Sequence, residues 1–298
     1  MMALKLPPNF DARVLHNEPL AKYTSWRVGG PADMLFKPQD VNELAAFLGS
    51  LAPNTPVYFL GLGSNVLVRD GGIRGAVIAT LGAFGELKQL DANEVWAGSG
   101  VTCAKLAKQC VKWGLGAAEF FAGIPGTIGG ALAMNAGAFG GETWRHVREV
   151  ETIDLQGQVR RHPASVYRAS YRHIEGPQNE WFLGARMHFE LRADVSELEI
   201  RSLLARRKAT QPMGEFSCGS VFTNPPGDHA ARLIEAAGLK GFQIGGARVS
   251  AKHANFIIND GTATADELER MIKHVQATVQ RVHGVALQPE VRIVGEGK

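Results

Sequence analysis

Between Thr264 and His283, apolar residues fall at Leu268, Ile272, Val275, Val279 and Val282. That three-and-four spacing is one face of a helix. Thr264 stands ahead of it as an N-cap and Gly284 behind it as a C-cap, so residues 264–283 are predicted to form a long helix packed on a core. A second helix is predicted from Thr102 as N-cap to about Gly114, with Leu106, Cys110 and Trp113 inward. Others are expected over 41–51, over 194–210 as an amphipathic helix stopped before Pro212, and over 228–237, ended by Gly238. Apolar and polar residues alternate in 147–155, before a turn at Gln156–Gly157, and again in 181–191, which predicts strands. Short apolar runs at 57–60, 66–68 and 255–258 read as further strands, and 285–294 as a closing strand that carries Glu290. There is no internal repeat and no regular alternation of strand and helix. The expected class is α+β.

The pattern breaks down in residues 120–142, FFAGIPGTIGGALAMNAGAFGGE, where seven glycines and five alanines occupy 23 positions. Charge stands only at the borders, at Glu119 and Glu142. Glycine costs conformational entropy and repays it where backbone must come close to another group. A flexible linker would be polar and serine-rich. This run carries Phe120, Phe121, Ile124, Ile128, Leu132, Met134 and Phe139, so it reads as the wall of a cofactor site. A second cluster, LGLGSNVLVRDGGIRG at 60–75, places Gly61, Gly63, Ser64 and Asn65 in a turn between two apolar runs. Successive N–H groups in such a turn suit a pyrophosphate. It is not a dinucleotide-binding Gly-x-Gly-x-x-Gly, because Val66 stands where the third glycine would be and a strand follows. Alone, this turn is equally an ordinary strand connection.

At 298 residues the chain can hold two or three domains. Hydrophobic content of 45% and charged content of 20% mark a globular protein. The net charge of +3, with Arg206-Arg207-Lys208 as the longest basic run, argues against a nucleic-acid partner. Three cysteines without regular spacing argue against a disulfide framework or zinc site, and the nine histidines show no metal-ligand pattern, so no metal is expected. Nothing resembles a membrane span, and MMALKLPPNF lacks the apolar segment of a signal peptide, so the cytoplasm is the expected compartment.

Three residues stand out for chemistry. Ser220 lies on a turn in SCGSVFTNP, which is not the hydrolase Gly-x-Ser-x-Gly elbow; on local grounds a turn serine bonding its own backbone is the favoured reading. Arg172, in ASYRHI, competes with a plain surface arginine paired to a carboxylate, and Tyr167-Arg168 repeats the Tyr171-Arg172 pattern. Glu290, in LQPEVRI, is a carboxylate in a short apolar run. With no Ser-His-Asp order and no metal, a cofactor must carry the difficult step.

Six motifs in order then become specific together: TSWRVGGPAD (24–33), GLGSNVLV (61–68), AGIPGTIGGALAMNAGAFGGE (122–142), SYR (170–172), GSVFTNP (219–225) and QPEV (288–291). From about Tyr23 to Val294 the chain resembles the UDP-N-acetylenolpyruvoylglucosamine reductases, in the shorter subtype without a tyrosine-bearing loop. The resemblance implies a two-part flavin domain of the vanillyl-alcohol-oxidase type plus a C-terminal α+β substrate domain. The boundaries it suggests are 1–82, completed by 285–298; 83–205; and 206–284. It implies non-covalent FAD, NADPH as hydride donor, and UDP-N-acetylglucosamine enolpyruvate as substrate, in a monomer. Gly61, Leu62, Gly63, Ser64, Asn65 and Val66 would cradle the pyrophosphate. Ile124, Pro125, Gly126, Gly129, Gly130, Asn135, Ala136 and Gly137 would line the flavin. Ser220 would be the proton donor, with Arg172 and a protonated Glu290 activating the substrate. Arg172 fits better than Arg168 by its distance from the turn at 154–157. Tyr171 and Asn224 are the expected substrate contacts, Asn224 towards the uridine. Many relatives carry a basic residue where Thr223 stands, and Cys218 replaces a usual Ala or Ser. A sugar or lactone oxidase of the same fold would often attach flavin through a histidine near the turn, where this chain has Ser64 and Asn65. A non-catalytic sugar-nucleotide sensor would keep the glycine wall without needing Ser220, Arg172 and Glu290.

Overall fold

The chain is described by a computed structural model over residues 13–298; the reading of the N-terminal ten residues lies outside the described residues. Six helices are formed among these: α1 (Val41–Ser50), α2 (Cys103–Lys112), α3 (Ile128–Met134), α4 (Glu197–Thr210), α5 (Ala230–Ala236) and α6 (Ala265–His283). Their ends follow local chemistry. Asp40 and Thr102 cap α1 and α2 by accepting N–H groups three residues on. In α6, Thr264 Oγ1 accepts from the Glu267 N–H at 3.2 Å while Glu267 accepts from the Thr264 N–H at 3.1 Å. This reciprocal cap is reinforced by Asp70, which accepts from the N–H groups of Ala265 and Asp266. Gly284, at φ 70°, ends the helix in the left-handed region. No helix among the described residues is long and apolar enough to cross a membrane.

Strands mix with these helices in an α+β arrangement. A four-stranded sheet has the order Val14–Pro19, Pro31–Phe36, Ile73–Ala79, Val57–Leu60. A five-stranded sheet has the order Val159–Pro163, Val147–Asp154, Glu180–His188, Glu94–Gly98, Leu87–Gln89, with every neighbour antiparallel. A third sheet orders Phe216–Ser217, Ile257–Asn259, Ala247–Val249, Gln243–Ile244. Arg292–Val294 pairs in parallel with Val66–Val68.

The chain divides into two compact units. Among the described residues, the first comprises 13–15, Leu35–Leu62 and Ala76–Arg206; the second comprises His16–Met34, Gly63–Gly75 and Arg207–Lys298. The first packs α2, the glycine wall and the five-stranded sheet around Leu106, Phe121, Ile128, Leu132, Val150 and Met187. The second packs α5, α6 and the third sheet around Trp26, Phe222, Ile257, Leu268 and Ile272.

Four expectations need correction. Val282 is 46% exposed, because the core that α6 covers ends at Val279. Helix α4 forms but is not amphipathic: Ile200 is its one buried side chain and Leu198 is 69% exposed. Its Glu, Arg, Lys and Leu content favours helix without a wide apolar face. The closing strand shrinks to Arg292–Val294 and leaves Glu290 outside it: the Glu290 N–H bonds to the Val221 carbonyl, and pairing with Val66–Val68 begins only at Arg292. The strand expected over 181–191 ends at His188, and Glu190–Leu191 pairs with Leu115–Gly116 instead.

The second unit holds an ion cluster around a buried carboxylate, with exposed cationic partners. Glu269 accepts from Arg69 at 2.7 Å and pairs with Lys273 at 2.8 Å. The Arg69 hydrogen bond is the main cause that holds the Glu269 carboxyl down at about 2. A depressed carboxylate contributes stability above its unfolded value, about 4.3, and loses it as pH falls through the folded value. The melting-temperature gap between wild type and Glu269→Gln, read by circular dichroism, is therefore expected to persist at neutral pH and to close as pH falls from about 5 towards 2. A gap independent of pH would contradict this.

Candidate functional site

In the first unit the glycine wall is a chain of short elements. A 3-10 turn at Glu119–Gly123 leads to Thr127, then α3, then a hairpin pairing Gly137–Ala138 with Gly141–Glu142. Asn135 ends α3 in the left-handed conformation at φ 45°, which Asn tolerates better than most residues. Its amide is spent inside the protein. Nδ2 donates to the Ser170 carbonyl at 2.9 Å and to Glu142 at 3.2 Å, and Oδ1 accepts from the Trp144 N–H at 3.1 Å. The side chain expected to line a flavin thus braces the wall. Ile124 and Ala136 are also buried, so their side chains belong to the core, whereas Pro125 and Gly130 are exposed and Gly126 and Gly129 half-buried.

Arg172 sits at φ 57° in the tight turn between Arg168–Ser170 and His173–Glu175. Its guanidinium folds back on the wall, donating to the carbonyls of Gly137 at 2.9 Å and Asn135 at 3.5 Å. Arg168, the rival, has an exposed side chain 3.8 Å from Glu175. The two Tyr-Arg pairs therefore differ: one faces the wall, the other the surface. Tyr171 is half-exposed, with the Arg172 guanidinium 5.3 Å from its ring centroid.

Two hydroxyls in this unit are buried without a hydrogen-bond partner among the described residues, Thr127 Oγ1 and Ser99 Oγ. An unsatisfied buried polar group costs on the order of 1–3 kcal/mol, so such groups point to a ligand or function. Both lie beside glycine. A Cβ on Gly61 would meet Thr127 Oγ1 at 2.5 Å, and one on Gly129 would meet the Ser99 Cβ at 2.9 Å. Bare backbone flanked by unpaired hydroxyls fits a polar, phosphate-bearing cofactor. Leu62, beside Gly61, is exposed.

In the second unit, Gly63 is held at φ 66°, and a Cβ there would fall 2.0 Å from the Tyr23 carbonyl oxygen. The Ser25 N–H donates to the Gly63 carbonyl at 3.0 Å. The motif at 24–33 thus backs the turn. Ser64 is half-buried, and Val66 is a buried strand residue paired with Arg292. Asn65 turns its amide to the Glu290 carbonyl at 3.1 Å. Ser220 follows Gly219 at φ 74° and is half-buried, as is Glu290. One residue links them: the Glu290 N–H donates to the carbonyl of Val221 at 2.8 Å. Asn224 Oδ1 accepts from the Ala230 N–H at 3.1 Å, so that oxygen caps α5. Ser220 and Glu290 are brought together in this unit; Arg172 belongs to the other.

All three cysteines are buried, and burial pushes the Cys103 and Cys110 thiols up to about 12. None offers a thiolate near neutral pH. No cluster that could hold a metal ion occurs among the described residues. Sequence reasoning passed over Thr127, Ser99 and Asn255. Each is a polar residue inside a small or apolar run, which was the available signal.

A family profile described as the C-terminal domain of UDP-N-acetylenolpyruvoylglucosamine reductase matches residues 211–294, and one described as an FAD binding domain matches 32–162. The UDP-N-acetylenolpyruvoylglucosamine reductase of Alkalilimnicola ehrlichii is 55% identical over 284 residues, covering 95% of each chain. That of Methylococcus capsulatus is 52% identical over 285 residues, covering 95% of this chain and 94% of its own. The crystal structure of UDP-N-acetylenolpyruvylglucosamine reductase from Thermus caldophilus matches with a TM-score of 0.81 at 31% identity, covering 95% of this chain and 99% of that one.

Thr127→Val removes the unpaired hydroxyl while keeping its volume. The protein stripped of cofactor is expected to unfold at an equal or higher denaturant concentration, while FAD affinity falls about 5- to 20-fold, the worth of one hydrogen bond. Unchanged affinity by fluorescence titration would remove Thr127 from the cofactor site.

Proposed function

The chain belongs to the UDP-N-acetylenolpyruvoylglucosamine reductase family, and on that footing we propose that it reduces UDP-N-acetylglucosamine enolpyruvate to UDP-N-acetylmuramate with NADPH, a step of peptidoglycan precursor synthesis. It is an FAD-dependent oxidoreductase. The observation that carries the reading is the pairing of a bare-backbone wall, bearing the unpaired Thr127 and Ser99 hydroxyls, with Arg172 folded onto that wall. When bound, held by the backbone of Gly61 to Val66 and the wall at 124–137, FAD would supply the hydride chemistry between NADPH and the terminal vinyl carbon of the substrate.

The chain's own residues handle the proton and the charge. Addition of hydride to the vinyl carbon leaves negative charge on the neighbouring carbon and its carboxylate. Arg172, held by two carbonyls, offers a fixed positive charge for that carboxylate. Glu290, whose backbone is tied through both its N–H and its carbonyl, offers a second group to the same charge. Ser220 then gives its proton to the carbon next to the carboxylate. A serine hydroxyl is a weak acid at neutral pH, so it must be held where the charge develops. Gly61 to Val66 is the proposed pyrophosphate cradle, and residues 124–137 the proposed flavin wall. One role is narrowed by the hydrogen bonds above: Asn135 acts through its backbone, its amide serving as a brace. Tyr171, exposed beside Arg172, is the proposed substrate contact, with the Asn224 amide nitrogen as a weaker second. The enzyme is proposed to work as a cytoplasmic monomer without a nucleic-acid partner, the last point supported by a net charge of only +3.

The test is anaerobic absorption spectroscopy. NADPH should bleach the flavin bands faster than NADH, and the enolpyruvyl substrate should restore them. Ser220→Ala should keep reduction by NADPH near the wild-type rate and slow reoxidation by about 10²- to 10⁴-fold, the usual worth of a positioned acid. Equal rates for both half-reactions in this variant would contradict the assignment of the proton to Ser220.

A further inference from the structure

Residues 221–223 lie against 288–290 as a fragment of antiparallel ladder. Phe222 opposes Pro289, and the pair is flanked by the Thr223 N–H to Gln288 carbonyl bond at 3.0 Å and the Glu290 N–H to Val221 carbonyl bond at 2.8 Å. In such a pair the N–H and C=O of the central residue point away from the partner strand. Both polar groups of Phe222 therefore face the other side, where a further strand would be needed. Asn255 takes that strand's place. Its Oδ1 accepts from the Phe222 N–H at 3.0 Å, its Nδ2 donates to the Phe222 carbonyl at 2.8 Å, and its own carbonyl accepts from the Val221 N–H at 2.9 Å. Asn255 is only 4% exposed, so water does not substitute readily for these bonds.

This bracket holds the residue that joins the two groups assigned to chemistry in the second unit. Val221 follows Ser220 directly, and its carbonyl carries the peptide of Glu290. On the other side of the Glu290 Cα, the Glu290 carbonyl accepts from Asn65 Nδ2 at 3.1 Å. Resting on the roles given above to Ser220 and Glu290, we propose that Asn255 is a positioning residue that sets the spacing of the Ser220 hydroxyl and the Glu290 carboxyl by fixing the backbone of Val221 and Phe222. It touches no reacting atom. Its side chain does what a neighbouring strand does elsewhere, and it lets a short unpaired segment hold two functional groups in register.

Asn255→Asp keeps the size and the acceptor but loses the donor to the Phe222 carbonyl. Asn255→Asp, Ser220→Ala and wild-type holoenzyme are compared in the two half-reactions by stopped flow. Asn255→Asp should retain FAD and be reduced by NADPH within about 3-fold of wild type, while reoxidation by substrate falls about 10- to 100-fold, the scale of a small misplacement. With Ser220→Ala slow, an Asn255→Asp variant that reoxidises normally, or slows both half-reactions alike, would overturn the positioning role. Fast reoxidation in Ser220→Ala would instead remove the reading beneath the proposal, and the proposal with it. A second measurement needs no variant. In wild-type holoenzyme the amide hydrogens of Phe222 and Glu290 should exchange as slowly as those in the middle of α6. Exchange of either at the rate of an exposed loop amide would show that the bracket does not hold and would overturn the proposal.

Discussion

The structure depends on places where two stretches of backbone come too close for any side chain. In the second unit a Cβ on Gly72 would fall 1.9 Å from the Pro31 carbonyl oxygen, and one on Gly30 would fall 2.2 Å from that of Asp70. With Gly63 against Tyr23, these contacts lock the segment at 24–33 onto the segment at 63–72. Backbone polar groups at that range bond to each other, as the Gly30 N–H does to the Arg69 carbonyl at 3.1 Å. The same principle works in the first unit at Gly61 and Gly129, with a difference in outcome. There the close neighbours are the side chains of Thr127 and Ser99, whose hydroxyls are left without partners. One set of glycines consolidates the fold; the other leaves bare backbone and unpaired polar atoms where a cofactor can be received.

Within each unit the chain supplies little covalent chemistry and much placement. Arg172 adopts a left-handed turn conformation, a strained position for a long side chain, and is held there by carbonyls of the wall itself. Val221 has its N–H and C=O both engaged, one by Asn255 and the other by Glu290. Hydride transfer belongs to the cofactor. In the proposed reaction the protein would contribute a fixed charge, a held proton and a backbone stiff enough to keep both in place.

Much of the fold was legible because its signals are local. Thr102, Thr264, Gly238 and Gly284 mark helix ends by their own chemistry, and the spacing from Leu268 to Val279 fixes a buried face within one helix. The errors arose where the decision was made elsewhere in the chain. Val282 continues the stripe, yet its burial depends on where the opposing layer ends. Glu290 looks like part of the closing strand, yet its N–H is taken by Val221 and not by the partner of Arg292–Val294. For the site, motif order pointed to Ser220, Arg172 and Glu290 but could not say what each side chain touches. Asn65 and Asn135 sit in cofactor motifs and yet spend their amides on Glu290, Ser170, Glu142 and Trp144. Asn255 carried no signal beyond a polar residue between Ala254 and Phe256, because its partners lie 33 residues away.

The most direct test of the central claim is a crystal structure of the protein grown with FAD. The account predicts that the Thr127 and Ser99 hydroxyls each gain a partner within about 3.2 Å, from the cofactor or from a water it orders, and that Gly61 lies against the cofactor through bare backbone. FAD bound elsewhere, with both hydroxyls still buried and unpaired, would contradict it.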